Sequence, residues 1–304
     1  MLWEKLGRIF DPTVLGGFGL NSALMPVAEV IDETLGTVRV YFSPRDQSNR
    51  SEVRSFEFSV LDPGKTLQLS SRALFSPGKL GTFDDSGVTL GSIVDVAGRR
   101  LLFYTGWNRT LTVPYNNSIG IAEFTSGGSL ARHGDGPIMT RTLSEPYSCA
   151  SPFVLYESGT FSMWYASMDR WQERGGSEPL HFYNIKFAQS FDGITWKRDG
   201  HVSIDYAEPG EYAFGRPFVL RENGIYKMWY SFRGDRYRIG YAESHDGKEW
   251  ERLDQLAGID RSFRGWDSEM IEYPFIFDCA GTRYMLYNGN GYGRSGIGLA
   301  RCIG

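Results

Sequence analysis

The chain has 304 residues, with 32 basic and 36 acidic side chains and a formal charge of -4, so it offers no cationic excess for a polyanion or a lipid headgroup surface. Neither nucleic acid nor membrane is therefore expected as a partner. Aromatic residues make up 15% of the chain and glycines number 37, the mixture of many short strands joined by tight turns rather than of helices.

Five segments repeat one order of events: a polar approach, an apolar strand often opened by proline, a turn, an aromatic-rich second strand with a polar exit, and a third strand. In chain order the strands are expected at 22–30, 38–43 and 51–58, then 87–96, 101–106 and 118–123, then 151–155, 161–165 and 185–189. The fourth set covers 216–220, 226–230 and 239–243, and the fifth 273–277, 283–287 and 297–301. Tyr41, Tyr104, Tyr165, Tyr230 and Tyr287 hold equivalent places on the second strands, at separations of 63, 61, 65 and 57 residues. Asp192-Gly193 and Asp246-Gly247 are turns after third strands, with Trp196 and Trp250 expected to begin fourth strands.

One twisted four-stranded sheet cannot bury both faces, so the repeats must stack, and a ring leaves only short protected edges. The expected fold is all-β, a single five-bladed β-propeller over residues 1–304. The fifth unit runs out of chain after its third strand, while Trp3–Phe10 is unused by the first. The N-terminal segment is therefore expected to supply the missing strand and close the ring.

Antiparallel strands reverse direction, which puts the openings of first strands and the exits of second strands on one face. The residues brought to that mouth are Asp84, Asp85, Glu145, Tyr147, Glu211, Arg216, Trp266, Asp267, Glu269 and Glu272 from the openings. From the exits come Arg45, Asp46, Trp107, Arg109, Trp171, Arg233, Asn288 and Asn290. The expected site is acidic and aromatic, with Trp107, Trp171, Tyr147, Tyr212 and Trp266 as flat platforms for a sugar face. Paired carboxylates are the equipment of glycoside chemistry, one protonated to assist the leaving oxygen and one to activate water or attack the anomeric carbon. Structural readings stand beside these. Asp84 and Asp85 also fit turn capping, and Glu145 or Glu211 also fits pairing with a neighbouring-blade arginine. Arg216, before Pro217, fits anion binding, while Trp164-Tyr165 and Trp229-Tyr230 fit packing.

Asn288-Gly-Asn-Gly-Tyr-Gly293 lacks the lysine and helix of a phosphate loop and reads as a turn. The three cysteines and four histidines have no metal-site spacing, so no metal and no cofactor is expected, and an odd thiol count fits a reducing compartment. Met1-Leu-Trp-Glu-Lys lacks the order of a secretory leader and no apolar run approaches spanning length, which points to the cytoplasm.

Several stretches carry a family likeness: Thr112–Gly120, Glu145-Pro-Tyr147, Asp192–Trp196, Tyr237–Glu243, Gly265–Pro274 and Tyr284–Gly293. Over its whole length the chain resembles the five-bladed propeller glycosidases, which include arabinanases, β-xylosidases, invertases and levansucrases, and their relatives the β-mannoside phosphorylases. It looks closest to a bacterial branch associated with surface-polysaccharide genes. The resemblance implies a base aspartate opening blade one, a second aspartate on blade two and an acid glutamate on blade three. Asp84 or Asp85 and Glu145 fit the latter two stations, with Glu145 the preferred acid. Blade one opens Gly19-Leu-Asn21 and holds no carboxylate there. Three readings follow: a glycosidase using Asp46, Glu211 or Glu272 as base; a phosphorylase or sugar-nucleotide enzyme using Arg45, Arg109, Arg216 or Arg233 to hold phosphate; or a sugar-binding propeller without catalysis. Each implies a carbohydrate or sugar-phosphate ligand.

Overall fold

The computed structural model describes residues 1–304. The strands are β1 (Trp3–Phe10), β2 (Leu20–Asp32), β3 (Thr37–Asp46), β4 (Arg54–Ser59), β5 (Asp62–Leu69), β6 (Gly87–Val96) and β7 (Arg99–Arg109). There follow β8 (Tyr115–Phe124), β9 (Leu130–Arg132), β10 (Cys149–Glu157), β11 (Thr160–Arg174), β12 (Ser177–Ser190) and β13 (Val202–Ile204). The last are β14 (Tyr212–Glu222), β15 (Ile225–Arg233), β16 (Tyr237–Ser244), β17 (Glu251–Arg252), β18 (Glu272–Cys279), β19 (Thr282–Asn288) and β20 (Ile297–Cys302). They form five four-stranded antiparallel sheets, β2 to β5, β6 to β9, β10 to β13, β14 to β17, and β18-β19-β20-β1. This is a five-bladed propeller.

The N-terminal strand closes it. Trp3 pairs with Cys302 and Phe10 with Ile297. Trp3 is buried edge-on against Trp229 of the preceding blade, with ring centroids 6.2 Å apart. The fourth strands of blades three and four differ from expectation. They begin after Trp196 and Trp250, because each indole folds back and donates to the carbonyl of its turn glycine, Gly193 or Gly247. No helix is long and apolar enough to cross a membrane.

The first strands are bulged at a recurrent place. Met25, Ser151, Arg216 and Tyr273, each directly before a proline, have φ of 53°, 51°, 53° and 58°. Each lies at or beside a shift in register. Proline bars its predecessor from the right-handed helical region, and a bulge re-aims one side chain. The result is that all four residues face the centre of the ring. The phenylalanine following the proline packs from blade to blade, Phe153 on Phe218 at 4.9 Å and Phe218 on Phe275 at 5.0 Å.

The Asp-Gly turns are held by their own carboxylates. Asp192 accepts from the amides of Ile194 and Thr195 and from Ser190, and these bonds, the Thr195 amide first, hold its pKa down to about 2. A depressed folded pKa contributes stability that is present above the unfolded value and lost as pH falls through the folded one. Asp192→Ala is expected to cost about 1 kcal/mol at neutral pH. Urea unfolding should show the gap from wild type closing between about pH 4 and pH 2.

Candidate active site

A cavity of about 630 Å³ opens on the face where first strands begin and second strands end. Of the residues expected there, Arg45, Trp107, Arg109 and Arg216 line it. So do Tyr115, Glu178, His181, Tyr183, Tyr237, Tyr273 and Tyr292, which sequence reasoning did not place. Several of these sit where third strands begin, on β8, β12 and β16. Those openings share the mouth face by the same antiparallel argument. The wall is thus basic and tyrosine-rich, with Glu178 as its one carboxylate, and that side chain is exposed.

The acids expected at the mouth lie elsewhere. Each second-strand tyrosine donates its hydroxyl to a carboxylate that also meets a cation. Tyr104 bonds Asp84 at 3.1 Å, and Arg132 of β9 pairs with Asp84 at 2.7 Å. Tyr165 bonds Glu145 at 3.0 Å, with Arg198 at 3.2 Å and Ser167 also donating. Tyr287 bonds Asp267 at 3.1 Å, with Lys5 of β1 at 2.7 Å. Tyr230 bonds Asp254, which Arg252 pairs, and Tyr41 bonds Glu29, which meets Arg39 and Arg100. In blades two, three and five the carboxylate lies 20 residues before its tyrosine. The cation comes from the fourth strand or its approach in blades two to five, so the clamp ties the outer edge of each of those blades to its second strand. Glu145 therefore pairs with an arginine of its own blade. Trp164 and Trp229 are fully buried core.

The remaining expected residues are similarly committed. Glu211 receives Arg252 and the Ala207 amide, and these hold its carboxyl below the ordinary range against the opposing effect of burial. Asp85 accepts from Gly81, Ser86 and Asn108, and Asp46 from Arg50 in its turn. Asn288 donates to Ala23 and Gly296 and accepts from Met25, serving the seam of blades five and one, whereas Asn290 accepts from Glu269 and Met270 and holds the approach to blade five. Trp266 stacks on Tyr287 at 5.4 Å. Tyr147 and Glu269 are exposed and absent from the cavity wall. Trp171 adjoins the wall residues Tyr115 and His181 at 5.3 and 6.0 Å. Arg216 is 2% exposed, and its two terminal nitrogens donate to the carbonyls of Leu90, Gly91 and Pro26, linking blades four, one and two across the channel, while its Nε has no partner. These bonds make it a staple between blades as well as a wall residue, and burial, with no carboxylate beside it, drives its pKa down to about 9.

Glu272 stands apart. It opens β18, is completely buried, and neither carboxyl oxygen has a hydrogen-bond partner. Burial pushes its pKa well above the ordinary carboxylate value, with Tyr273, Arg233 and Arg45 acting in the opposite direction. Arg45 donates to Asn49 and Arg233 to Tyr292, yet the Nε of each is buried and unpartnered. Burial and the nearby Arg233 lower the His181 pKa to about 4, so it is neutral at physiological pH. A carboxyl, two guanidinium groups and tyrosines thus converge with unused hydrogen-bonding capacity. No three His, Cys, Asp or Glu side chains gather as a metal site.

No protein-family model matches the chain. It is 43% identical over 300 residues, 99% of both chains, to the uncharacterized protein Rv1502 of Mycobacterium tuberculosis (strain ATCC 25618 / H37Rv). Among solved structures, a glycoside hydrolase superposes with a TM-score of 0.76 at 17% identity, covering 99% of this chain and 92% of the other. The endo-arabinase of Bacteroides thetaiotaomicron gives 0.60 at 14% identity, covering 93% and 94%. These structures share the propeller fold.

Proposed function

The chain belongs to the family of the mycobacterial protein Rv1502 and has the five-bladed propeller fold found in glycoside hydrolases, and from that premise we propose that it cleaves a glycosidic bond in this cavity, with Glu272 protonating the leaving oxygen. The observation that carries the reading is the buried Glu272 carboxyl, not itself on the wall but adjacent in the chain to the wall residue Tyr273, with Arg45 and Arg233 acting on it. A carboxylic acid kept neutral by burial can deliver a proton where an exposed one would already have lost it. As the bond to the leaving oxygen lengthens, positive charge develops at the anomeric carbon and an acceptor must approach from the other side.

For hydrolysis that acceptor is water, and a second carboxylate would activate it. The exposed Glu178 is the only acid on the wall. Arg45, Arg109 and Arg233 instead suit an oxyanion, and transfer to phosphate needs no basic carboxylate. Phosphorolysis, or cleavage of a sugar phosphate, is therefore the favoured form. Cys149, Cys279 and Cys302 are free thiols, which suits action on bacterial glycoconjugates from the reducing side of the cell.

Aryl glycosides offered with and without phosphate test this. Release that depends on phosphate is expected, and Arg45→Ala should raise the KM for phosphate about tenfold or more, as for loss of a charge-assisted contact. Equal release without phosphate assigns the reaction to hydrolysis, and binding without release removes the catalytic reading.

A further inference from the structure

Blade three carries an arm that the other blades lack. Its β11 and β12, of 15 and 14 residues, are the longest strands of the ring. Their ladder runs on from Met168↔Tyr183 through Trp171↔His181 to Arg174↔Ser177, where Gly175 and Gly176, at φ of 44° and 88°, make a two-residue turn of the kind that suits a twisted hairpin. In the other blades the second and third strands are joined by loops, such as those between Arg109 and Tyr115 and between Arg233 and Tyr237. From Gln172 to Glu178 the arm is exposed.

Strand alternation sorts the residues at its base by face. Arg170 pairs with Phe182, its guanidinium 3.8 Å from that ring and 5.9 Å from the Tyr206 ring. On the other face Trp171 and His181 pack on Tyr115 with ring centroids 5.3 and 6.2 Å away, and on each other at 6.0 Å. His181 also meets Tyr183 at 5.4 Å and Tyr212 at 6.2 Å, so rings from three blades fix the imidazole. Tyr115, His181 and Tyr183 line the cavity, whereas Trp171 and Tyr212, expected as platforms, touch His181 without reaching the wall. His181 is half-buried and makes no hydrogen bond with the protein, and as a neutral ring it offers one donor and one acceptor. Beside it the Tyr115 hydroxyl accepts from Tyr183 and keeps its own proton free, and the Asn117 amide donates to Tyr183 at 3.5 Å. Arg109 and Glu178, the charges of this part of the wall, are both exposed, so solvent screens them.

We propose that the base of this arm is a subsite for an uncharged sugar ring, in which His181 donates to one ring hydroxyl and accepts from its neighbour while Tyr115 donates a third bond. The inference rests on the reading of the cavity as a carbohydrate site and adds which part of the wall takes which part of the substrate. A hydroxyl both donates and accepts, and so matches a neutral imidazole and phenols. An oxyanion only accepts, and is better served by Arg45 and Arg233. Arg233 borders the subsite, lying over the Tyr212 ring at 5.3 Å, so the sugar ring and the oxyanion are held side by side. A wall built to bond a hydroxyl rejects a ring that lacks it, which makes His181 a specificity-determining residue.

His181→Phe keeps a ring in the cluster and removes both nitrogens. With a nitrophenyl glycoside that wild type cleaves in the presence of phosphate, its KM for the glycoside should rise about tenfold while its KM for phosphate stays unchanged. Arg45→Ala should show the reverse. His181→Gln, which restores a donor and an acceptor, should lie nearer to wild type than His181→Phe at an equal melting temperature. An unchanged glycoside KM in His181→Phe, or a parallel rise in both constants, overturns the subsite. Where wild type cleaves no nitrophenyl glycoside, isothermal titration with the methyl glycosides of glucose, galactose, mannose, xylose and arabinose separates the two proposals. Binding that His181→Phe weakens about tenfold upholds the subsite even as the cleavage reading fails. Absence of binding, or binding that the variant leaves unchanged, overturns it.

Discussion

Glu272→Gln is expected to lower turnover by about 10²- to 10⁴-fold, the range for loss of a positioned proton donor, without lowering stability. The two effects separate because of the direction in which Glu272 titrates. Its folded pKa is raised, chiefly by burial. The favourable contribution of the neutral carboxyl is full below the unfolded pKa of about 4.5 and is lost as pH rises through the folded pKa. Glutamine has the same shape and never ionises, so the variant escapes that loss. Its melting temperature should equal wild type at low pH and match or exceed it at high pH. Single-turnover rates and thermal melts across pH measure both arms. Turnover retained by Glu272→Gln sinks the assignment of the acid.

Glu145→Ala is expected to produce the opposite pattern. The carboxylate receives Tyr165, Ser167 and Arg198 inside blade three, and all four side chains are largely or fully buried. Removing it strands a buried guanidinium and leaves the Tyr165 hydroxyl unpaired, a loss of about 3 to 5 kcal/mol. Urea unfolding should register that loss while turnover per folded molecule stays near wild type. Glu145→Gln keeps an acceptor for Tyr165 and should be the milder variant. If Glu145→Gln abolishes turnover at full stability, the acid is Glu145, as the family resemblance implied, and the clamp has a second role.

These two residues show where sequence reading succeeded and where it stopped. The regular tyrosine spacing was enough to find five blades, since a strand pattern that cannot bury itself must stack. The unused segment Trp3–Phe10 then had one place to go. The mouth face was also legible, because antiparallel reversal is a property of the chain and needs no coordinates. Which acids reach the cavity was not. Asp84, Glu145 and Asp267 sit close to first strands in sequence, but their partners come from the second and fourth strands of their own blades. The constant 20-residue interval between acid and tyrosine was a periodic signal for a structural device.

The residue before each strand-opening proline was a clue of the other kind. Met25, Ser151, Arg216 and Tyr273 share neither size nor charge, so composition could not group them. The bulge that proline imposes turns all four toward the channel. In blade five the same irregularity holds buried Glu272 next to Tyr273 and near Arg45, two residues from opposite ends of the chain.

The sequence by itself determined the class of fold, the number of blades, the strand that closes the ring and the face on which the cavity opens. Each depends on periodicity and strand direction, which are local and repeat along the chain. Tertiary structure alone decided which charges are neutralised. Pairing is a matter of a few ångströms between distant strands, and burial sets whether a carboxyl left over from that pairing stays protonated. Thus Glu145 became part of the framework, and Glu272, with no partner, became the candidate for chemistry.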